Sequence, residues 1–324
     1  MNRPEIIKDA AQSERKSLLG EFHGAKPPAP FWFDKAIADA PERSFVEVQG
    51  AKIEMLTWGE RGKPGLMFLH GNGAHADWWS FIAPSFARDY RVAAFSLSGM
   101  GGSGWRTSYG TDVLVDEGFA VMEAAGLFDA PQKPILIGHS FGAFVTSGIA
   151  AKAGSRIKSI VVVDGPFLPS DDPTKQRGSS RRQPRTNRVY ESFEAAMARF
   201  RFAPEQTCDN LYIADWIARH SLKTVAREDG GEGWTWKFDP KFWQDFRYAS
   251  LKHDLRTRTC PVAIIGGARS GFITQGYGKD LLHYVGNDAP LISIPNAQHH
   301  IMADEPLALI ASLRTLLASW PGAR

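Results

Sequence analysis

Short apolar runs alternate with longer amphipathic stretches over most of the chain. The runs at 65–69, 91–97, 134–137, 157–163, 262–265 and 291–294 are typical of buried strands, and segments such as 111–125 carry apolar residues at helical spacing. This alternation predicts a parallel sheet covered by helices on both faces, which is the α/β class of fold.

Two segments depart from this alternation. Residues 1–43 contain a polar helical stretch and a proline-rich arm, and a hairpin pattern follows in which runs 44–48 and 52–58 meet at Gly50. Residues 166–256 are long, polar and rich in tryptophan, without a strand pattern. We therefore expect an α/β core at 44–165 and 257–324, interrupted after Val163 by a helical cap at 166–256, and preceded by an extension at 1–43.

Composition is that of an ordinary globular protein. The formal charge of +3 is too small to indicate a nucleic-acid partner, and no apolar run approaches the roughly 18–20 residues that span a bilayer. Residues 1–20 lack the apolar segment of a secretory signal, and Cys208 and Cys260 are the only cysteines. A cytoplasmic protein with a small-molecule substrate fits these features, and the oligomeric state stays open.

A serine between two glycines follows the run at 134–137. The motif Gly138-His139-Ser140-Phe141-Gly142 stands between that strand and a helix of small residues. This is the pattern of a nucleophile elbow, a strand-to-helix turn so sharp that its flanking residues must be small. Ser140 is therefore the candidate nucleophile.

The residues that follow the other strands complete a pattern. His70-Gly71-Asn72-Gly73 follows one strand, Asp164 another, and His299-His300 the last. With the elbow, and in the order serine, acid, histidine, they resemble the α/β-hydrolase family from about residue 44 onward. The resemblance implies that fold and a serine hydrolase, and it implies no cofactor.

The resemblance also indicates which histidine is the catalytic base, but it does not by itself identify the acid. The family's histidine stands seven residues before a proline such as Pro306, which favours His299 over His300. The commonest family acid follows the strand at 262–265, but residues 266–271 contain no carboxylate. Asp164 is the alternative position and our candidate, while Asp254, Asp280 and Asp304 are weaker alternatives.

The oxyanion hole should combine the backbone N–H groups of Asn72 and Phe141, since each such donor is typically worth about 3–4 kcal/mol in a transition state. Aromatic residues are the candidate walls of a substrate pocket: Trp78, Trp79, Trp216 and Trp243. A basic run at 175–188 has two interpretations, a solvated loop or a surface that attracts anionic substrates.

Several other chemistries are disfavoured. The glycine pattern at 99–104 opens no helix, so it is not a dinucleotide site, and neither a P-loop nor a zinc pair at H-x-x-x-H spacing occurs. A serine in the elbow excludes the aspartate nucleophile of epoxide hydrolases and haloalkane dehalogenases. We expect a carboxylic ester hydrolase acting on small to medium apolar or aromatic esters. A lactonase, an amidase, a C–C bond hydrolase, or a ligand-binding protein of the same fold are the alternatives.

Overall fold

The structure, a computed structural model, describes residues 17–165, 186–227 and 229–319. Its main feature is an eight-stranded sheet with the order β1-β2-β4-β3-β5-β6-β9-β10, in which β1–β2 and β2–β4 pair antiparallel and the other pairs are parallel. The strands are β1 Glu42–Val48, β2 Ala51–Trp58, β3 Gly65–Leu69, β4 Arg91–Phe95, β5 Ile135–His139, β6 Ser159–Val163, β7 Leu222–Ala226, β8 Glu232–Trp236, β9 Val262–Gly267 and β10 Leu291–Ile294. The predicted α/β-hydrolase sheet is confirmed, and the strands begin and end within a few residues of the predicted runs.

Helices cover both faces of this sheet. They are α1 Phe31–Ala38, α2 Thr111–Ala124, α3 Phe141–Ala153, α4 Phe193–Met197, α5 Leu211–His220, α6 Leu251–Thr257, α7 Gly271–Thr274, α8 Tyr277–Val285, α9 Ile301–Asp304 and α10 Pro306–Ser319. None of the helices in the described ranges is long and apolar enough to cross a membrane.

The two faces of the sheet bury separate apolar clusters because side chains alternate along a strand. In β3, Leu66 and Phe68 enter one cluster and Met67 and Leu69 enter the other, and all four are fully buried. Burial of each such side chain stabilises the fold by roughly 1.5–3 kcal/mol. This two-sided burial explains why the strands are continuous apolar runs.

The described part of the segment between β6 and β9 is only partly helical. It contains α4, α5 and α6, but β7 and β8 pair there as an antiparallel hairpin with Leu222 opposite Trp236. The expectation of a segment without strands was wrong at this point, because the two tryptophans of β8 lie on the half-buried face of a hairpin rather than in a helical core. The segment is joined to the core where the Gly101 N–H donates to the Lys237 carbonyl and the Asp239 N–H to that of Gly99.

Candidate active site

Ser140 lies at the turn between β5 and α3. Its backbone has φ 52° and ψ −119°, a region that side-chain-bearing residues seldom adopt. The turn is tight enough that a Cβ at Gly142 would lie 2.5 Å from the carbonyl oxygens of Leu69 and His70. The strand-to-helix turn expected from the sequence is therefore present, and it lifts the Ser140 side chain above the carboxyl ends of the strands.

Three side chains predicted from the sequence meet at that edge. Oγ of Ser140 lies 3.0 Å from Nε2 of His299, and Nδ1 of the same ring lies 2.7 Å from Oδ2 of Asp164. A carboxylate accepts only, so Nδ1 carries the hydrogen and the lone pair of Nε2 faces the serine hydroxyl. This arrangement can take a proton from the serine and hold the resulting imidazolium.

Asp164 lies at the end of β6, next to the strand that carries Ser140. It is fully buried, has φ 46°, and donates its own N–H to the carbonyl of Ile265. Its Oδ1 accepts from the N–H of Gly267 at 2.9 Å, and its Oδ2 accepts from the hydroxyl of Ser270 at 2.5 Å. These donors satisfy a carboxylate that would otherwise be buried at a large cost.

Ser270 is a contributor that sequence reasoning did not find. It lies in the loop after β9, where the commonest family pattern has its acid, and its hydroxyl reaches the carboxylate of Asp164 from there. The sequence carries part of this information, because the absence of an acid at residues 266–271 indicates that the loop does not supply the carboxylate itself. Only the structure shows that its serine contacts the acid from the neighbouring strand.

The other sequence-predicted acids lie elsewhere. Asp254 is in α6, near Gly148 of α3, and Asp280 is in the first turn of α8. Asp304 accepts the N–H of Gln298 at 2.7 Å and the side-chain amide of Gln206 at 2.9 Å, so it fixes the loop that carries His299. Burial raises the pKa of Asp304 to about 6, although both donors act against this shift.

His300 packs among aromatic rings and makes no hydrogen bond with Ser140 within the described residues. Its ring is buried and lies edge-on to Trp78 and tilted on Phe202, while its backbone N–H donates to Oε1 of Gln206. Burial lowers the pKa of His300 well below its ordinary value. This position fits the prediction that His300 has a packing role and that the neighbouring histidine faces the serine.

His139, the residue before Ser140, braces the histidine loop. Nε2 of His139 lies 2.9 Å from the carbonyl oxygen of His299, so this nitrogen donates and Nδ1 keeps its lone pair. Burial, followed by the neighbouring rings of His299 and His300, lowers the pKa of His139 well below its ordinary value. The elbow and the histidine loop are thus joined directly by a neutral imidazole.

The two candidate oxyanion donors come from two separate loops, one after β5 and one after β3. Phe141 opens α3, where the backbone N–H has no partner within the helix, and Asn72 is exposed in the loop after β3. His70 fixes that loop, because its Nδ1 donates to the Gly71 carbonyl at 2.7 Å and its Nε2 accepts the N–H of Leu97 at 3.0 Å. Burial lowers the pKa of His70 to about 3, which keeps this bridging ring neutral.

A carboxylate from β2 supports the same loop. Ser96 follows β4, and its hydroxyl donates to Oε2 of Glu54 at 2.7 Å. The same Oε2 accepts the Gly102 N–H at 2.8 Å, and Oγ of Ser96 accepts the N–H of Ala76 at 3.0 Å. Glu54 therefore ties the loop after β4 to β2, and Ser96 connects Glu54 to the loop that follows Asn72.

The four candidate pocket tryptophans have different surroundings. Trp79 is fully buried against Phe68 and does not line a cleft, and Trp78 is 6% exposed beside His300. Trp216 is half-buried, and its Nε1 donates to the Asp77 carbonyl at 3.1 Å.

Trp243 is the one of the four that packs directly on the elbow. Its ring is edge-on to Phe141 at 5.2 Å and stacked with Tyr248 at 6.1 Å. Phe246 and Phe144 complete an aromatic cluster with these three rings. We call this the elbow aromatic cluster: Phe141, Phe144, Trp243, Phe246 and Tyr248. The basic run 175–188 lies outside the described residues except for its last members, of which Arg188 lies over the ring of Tyr190.

Comparison with known proteins agrees with this architecture. Residues 66–313 match the alpha/beta hydrolase family. The chain belongs to that family. The esterase Rv0045c of Mycobacterium tuberculosis is similar to this alpha/beta hydrolase, with 26% identity over 294 residues that cover 88% of this chain and 92% of that one.

Solved structures show the same fold. One structure of the Mycobacterium tuberculosis esterase, from work on its inhibition by transition metals, has a TM-score of 0.65 at 23% identity and covers 93% of this chain and 96% of that one. A thioesterase domain from curacin biosynthesis has a TM-score of 0.68 at 21% identity and covers 85% of this chain and all of that domain. At these identities the structures support the alpha/beta hydrolase fold and leave the reaction to be argued from the site.

Proposed function

We propose that this alpha/beta hydrolase is a carboxylic ester hydrolase that acts through an acyl-enzyme on Ser140. The observation that carries the proposal is the continuous contact from Ser140 through His299 to Asp164, at 3.0 Å and 2.7 Å. Similarity to an esterase over most of both chains supports the same reaction class.

In the proposed acylation step, Oγ of Ser140 attacks the ester carbonyl carbon while its proton moves to Nε2 of His299. The proton then passes to the leaving alkoxide, so that an alcohol departs and an ester to the serine remains. In the second step, water loses a proton to His299, attacks the acyl carbon and releases the acid, and the proton returns to Ser140. Asp164 holds the imidazolium in both steps and stays ionised.

The N–H groups of Asn72 and Phe141 are the proposed donors to the oxyanion. Phe141 offers its N–H at the start of α3, where the helix dipole also favours negative charge. Contacts of His70 with Gly71, and of Ser96 with Glu54 and Ala76, hold the loop on either side of Asn72, which supports an N–H that is preorganised before substrate binds. Such preorganisation is what makes an oxyanion hole effective.

Apolar or aromatic esters are the proposed substrates. The elbow aromatic cluster supports this class, since Phe141 supplies a proposed oxyanion donor and its ring packs against Trp243 and Phe246. A flat apolar group beside the reacting carbonyl would meet ring faces and edges there. We also propose that residues 166–256 act as a cap over the core and control which esters enter.

Burst kinetics with p-nitrophenyl butyrate test the acyl-enzyme. We expect a burst of p-nitrophenol close to one equivalent of enzyme, and labelling of Ser140 alone by a fluorophosphonate. Ser140→Ala should abolish both while its thermal unfolding stays the same, and Ser147→Ala, a buried serine of α3, is the matched control. Labelling elsewhere, or turnover by Ser140→Ala, would refute the assignment. Binding of esters without turnover would favour the ligand-binding alternative.

A further inference from the structure

Three histidine rings contact one another beside the nucleophile. The ring centroids of His139, His299 and His300 are separated by 4.9, 5.5 and 4.9 Å, and their exposed fractions are 1%, 7% and 3%. One potential ligand nitrogen from each ring lies within 4.8 Å of the others. The reaction proposed above uses only one of these rings.

Hydrogen bonds leave a lone pair on two of the rings. His139 donates from Nε2 to the carbonyl of His299, so its Nδ1 has a lone pair, and this buried atom has no hydrogen-bond partner among the described residues. His299 donates from Nδ1 to Asp164, so its Nε2 has a lone pair. A carbonyl or carboxylate behind one ring nitrogen is how proteins orient histidines that bind metals through the other.

His300 brings a third imidazole to the group. Within the described ranges, neither ring nitrogen of His300 has a partner at full hydrogen-bond distance and angle. The carbonyl of Pro204 is the backbone group that interacts with the ring. One nitrogen can therefore face that carbonyl while the other offers its lone pair. A buried polar ring without a well-formed hydrogen bond calls for an explanation.

We propose that His139, His299 and His300 form a binding site for a divalent transition metal of the zinc type, and that the bound metal switches the enzyme off by drawing Nε2 of His299 away from Ser140. Three neutral imidazoles with a water as fourth ligand are a common tetrahedral zinc set. Binding forms three nitrogen–metal bonds and breaks the hydrogen bond between Ser140 and His299.

The distances are compatible with a small closure of the site. Two nitrogens on one tetrahedral zinc are about 3.4 Å apart, given zinc–nitrogen bonds of about 2.0–2.1 Å. The nitrogens lie within 4.8 Å of one another, so an approach of about 1.4 Å is the most that any pair needs. Nε2 of His299 has a single lone pair, so it cannot bind a metal and keep its 3.0 Å hydrogen bond with the hydroxyl of Ser140.

Binding of Co²⁺ and Zn²⁺ to the full chain tests the site without reference to turnover. We expect visible absorption typical of tetrahedral Co²⁺, which Zn²⁺ displaces, and a Zn²⁺ dissociation constant in the micromolar range or tighter by calorimetry. His139→Gln and His300→Gln should each weaken binding at least tenfold, whereas His253→Gln, an exposed histidine of α6, should leave it unchanged. Circular dichroism checks folding, and either variant suffices if the other is unstable.

Inhibition forms the second arm and rests on the proposed function. Zn²⁺ should stop ester turnover reversibly, EDTA should restore it, and the inhibitory concentration should rise at least tenfold in His300→Gln. Absence of binding at about 100 µM Zn²⁺, or equal binding by the wild type and both folded variants, overturns the metal site. Metal binding in a protein without esterase activity supports the site and counts against the proposed function alone.

Discussion

Replacement of Asp164 by asparagine converts one carboxylate oxygen into an NH₂ group among three hydrogen-bond donors. The Gly267 N–H faces Oδ1, and the Ser270 hydroxyl and His299 Nδ1 face Oδ2. Because the backbone N–H cannot rotate away, the amide oxygen should stay at Oδ1 and the NH₂ group should take the place of Oδ2. Nδ1 of His299 must then accept, its hydrogen moves to Nε2, and the lone pair toward Ser140 is lost.

The opposite amide orientation has its own cost. It would place the NH₂ group against the N–H of Gly267 and leave a buried donor unpaired, which costs about 1–3 kcal/mol. In serine proteases, replacement of the triad aspartate by asparagine lowers kcat about 10⁴-fold. We therefore expect Asp164→Asn to lower kcat at least about a thousandfold, equivalent to about 4 kcal/mol in the barrier.

Steady-state hydrolysis of p-nitrophenyl butyrate measures this loss, and thermal unfolding checks that the variant is folded. Ser270→Ala is the matched control because it removes one donor and keeps the carboxylate, and its kcat should fall by less than about tenfold. Asp254→Asn, an acid of α6 away from the histidine, should have no effect on turnover. Turnover of Asp164→Asn within tenfold of wild type would refute the proposed role of this carboxylate.

Three further predictions follow from the same site. His299→Ala should lose as much turnover as Ser140→Ala, whereas His300→Ala should lose mainly thermal stability, and the reverse ranking in kcat would show that the wrong histidine was chosen. The pKa of Asp304 is about 6 in the folded protein against an ordinary 3.8, so the folded protein holds this proton more tightly than the unfolded chain does. The protonated carboxyl group therefore contributes to stability below about pH 4, and this contribution is lost as pH rises through about 6. Asp304→Asn should therefore gain melting temperature relative to wild type between pH 4 and 8, and a constant difference would contradict this. Trp243→Ala should lower kcat/KM for esters of an aromatic acid at least tenfold more than for acetate esters of the same alcohol. Equal losses would argue against an aromatic subsite.

The sequence predicted the sheet well because its strands are buried on both faces and leave unbroken apolar runs, as in β3 and β6. The hairpin of β7 and β8 escaped prediction because its tryptophans are half-buried and are interleaved with glycine and threonine. Alternation over five residues is a weak signal in a segment that has several other aromatic residues nearby.

At the site, residues in contiguous motifs could be predicted, and those that act from a distance could not. Asp164 was selected because no acid follows β9, and its contact with His299 is the geometry that this choice required. Ser270, Glu54 and His139 contribute through contacts between loops or strands far apart in sequence. A serine or glutamate in such a position has no local pattern to distinguish it from a surface residue.

The contact between Ser270 and Asp164 also bears on how such a site can evolve. Two loops bring an oxygen to nearly the same point, 2.5 Å apart, so a carboxylate can approach the histidine from either loop. A chain with aspartate at both positions would share one proton between them, since two adjacent carboxylates do not both ionise. The protonated one would donate a hydrogen bond to the other, as the Ser270 hydroxyl does here. The fold therefore offers two positions, one after each of two neighbouring strands, from which a carboxylate can meet the same histidine.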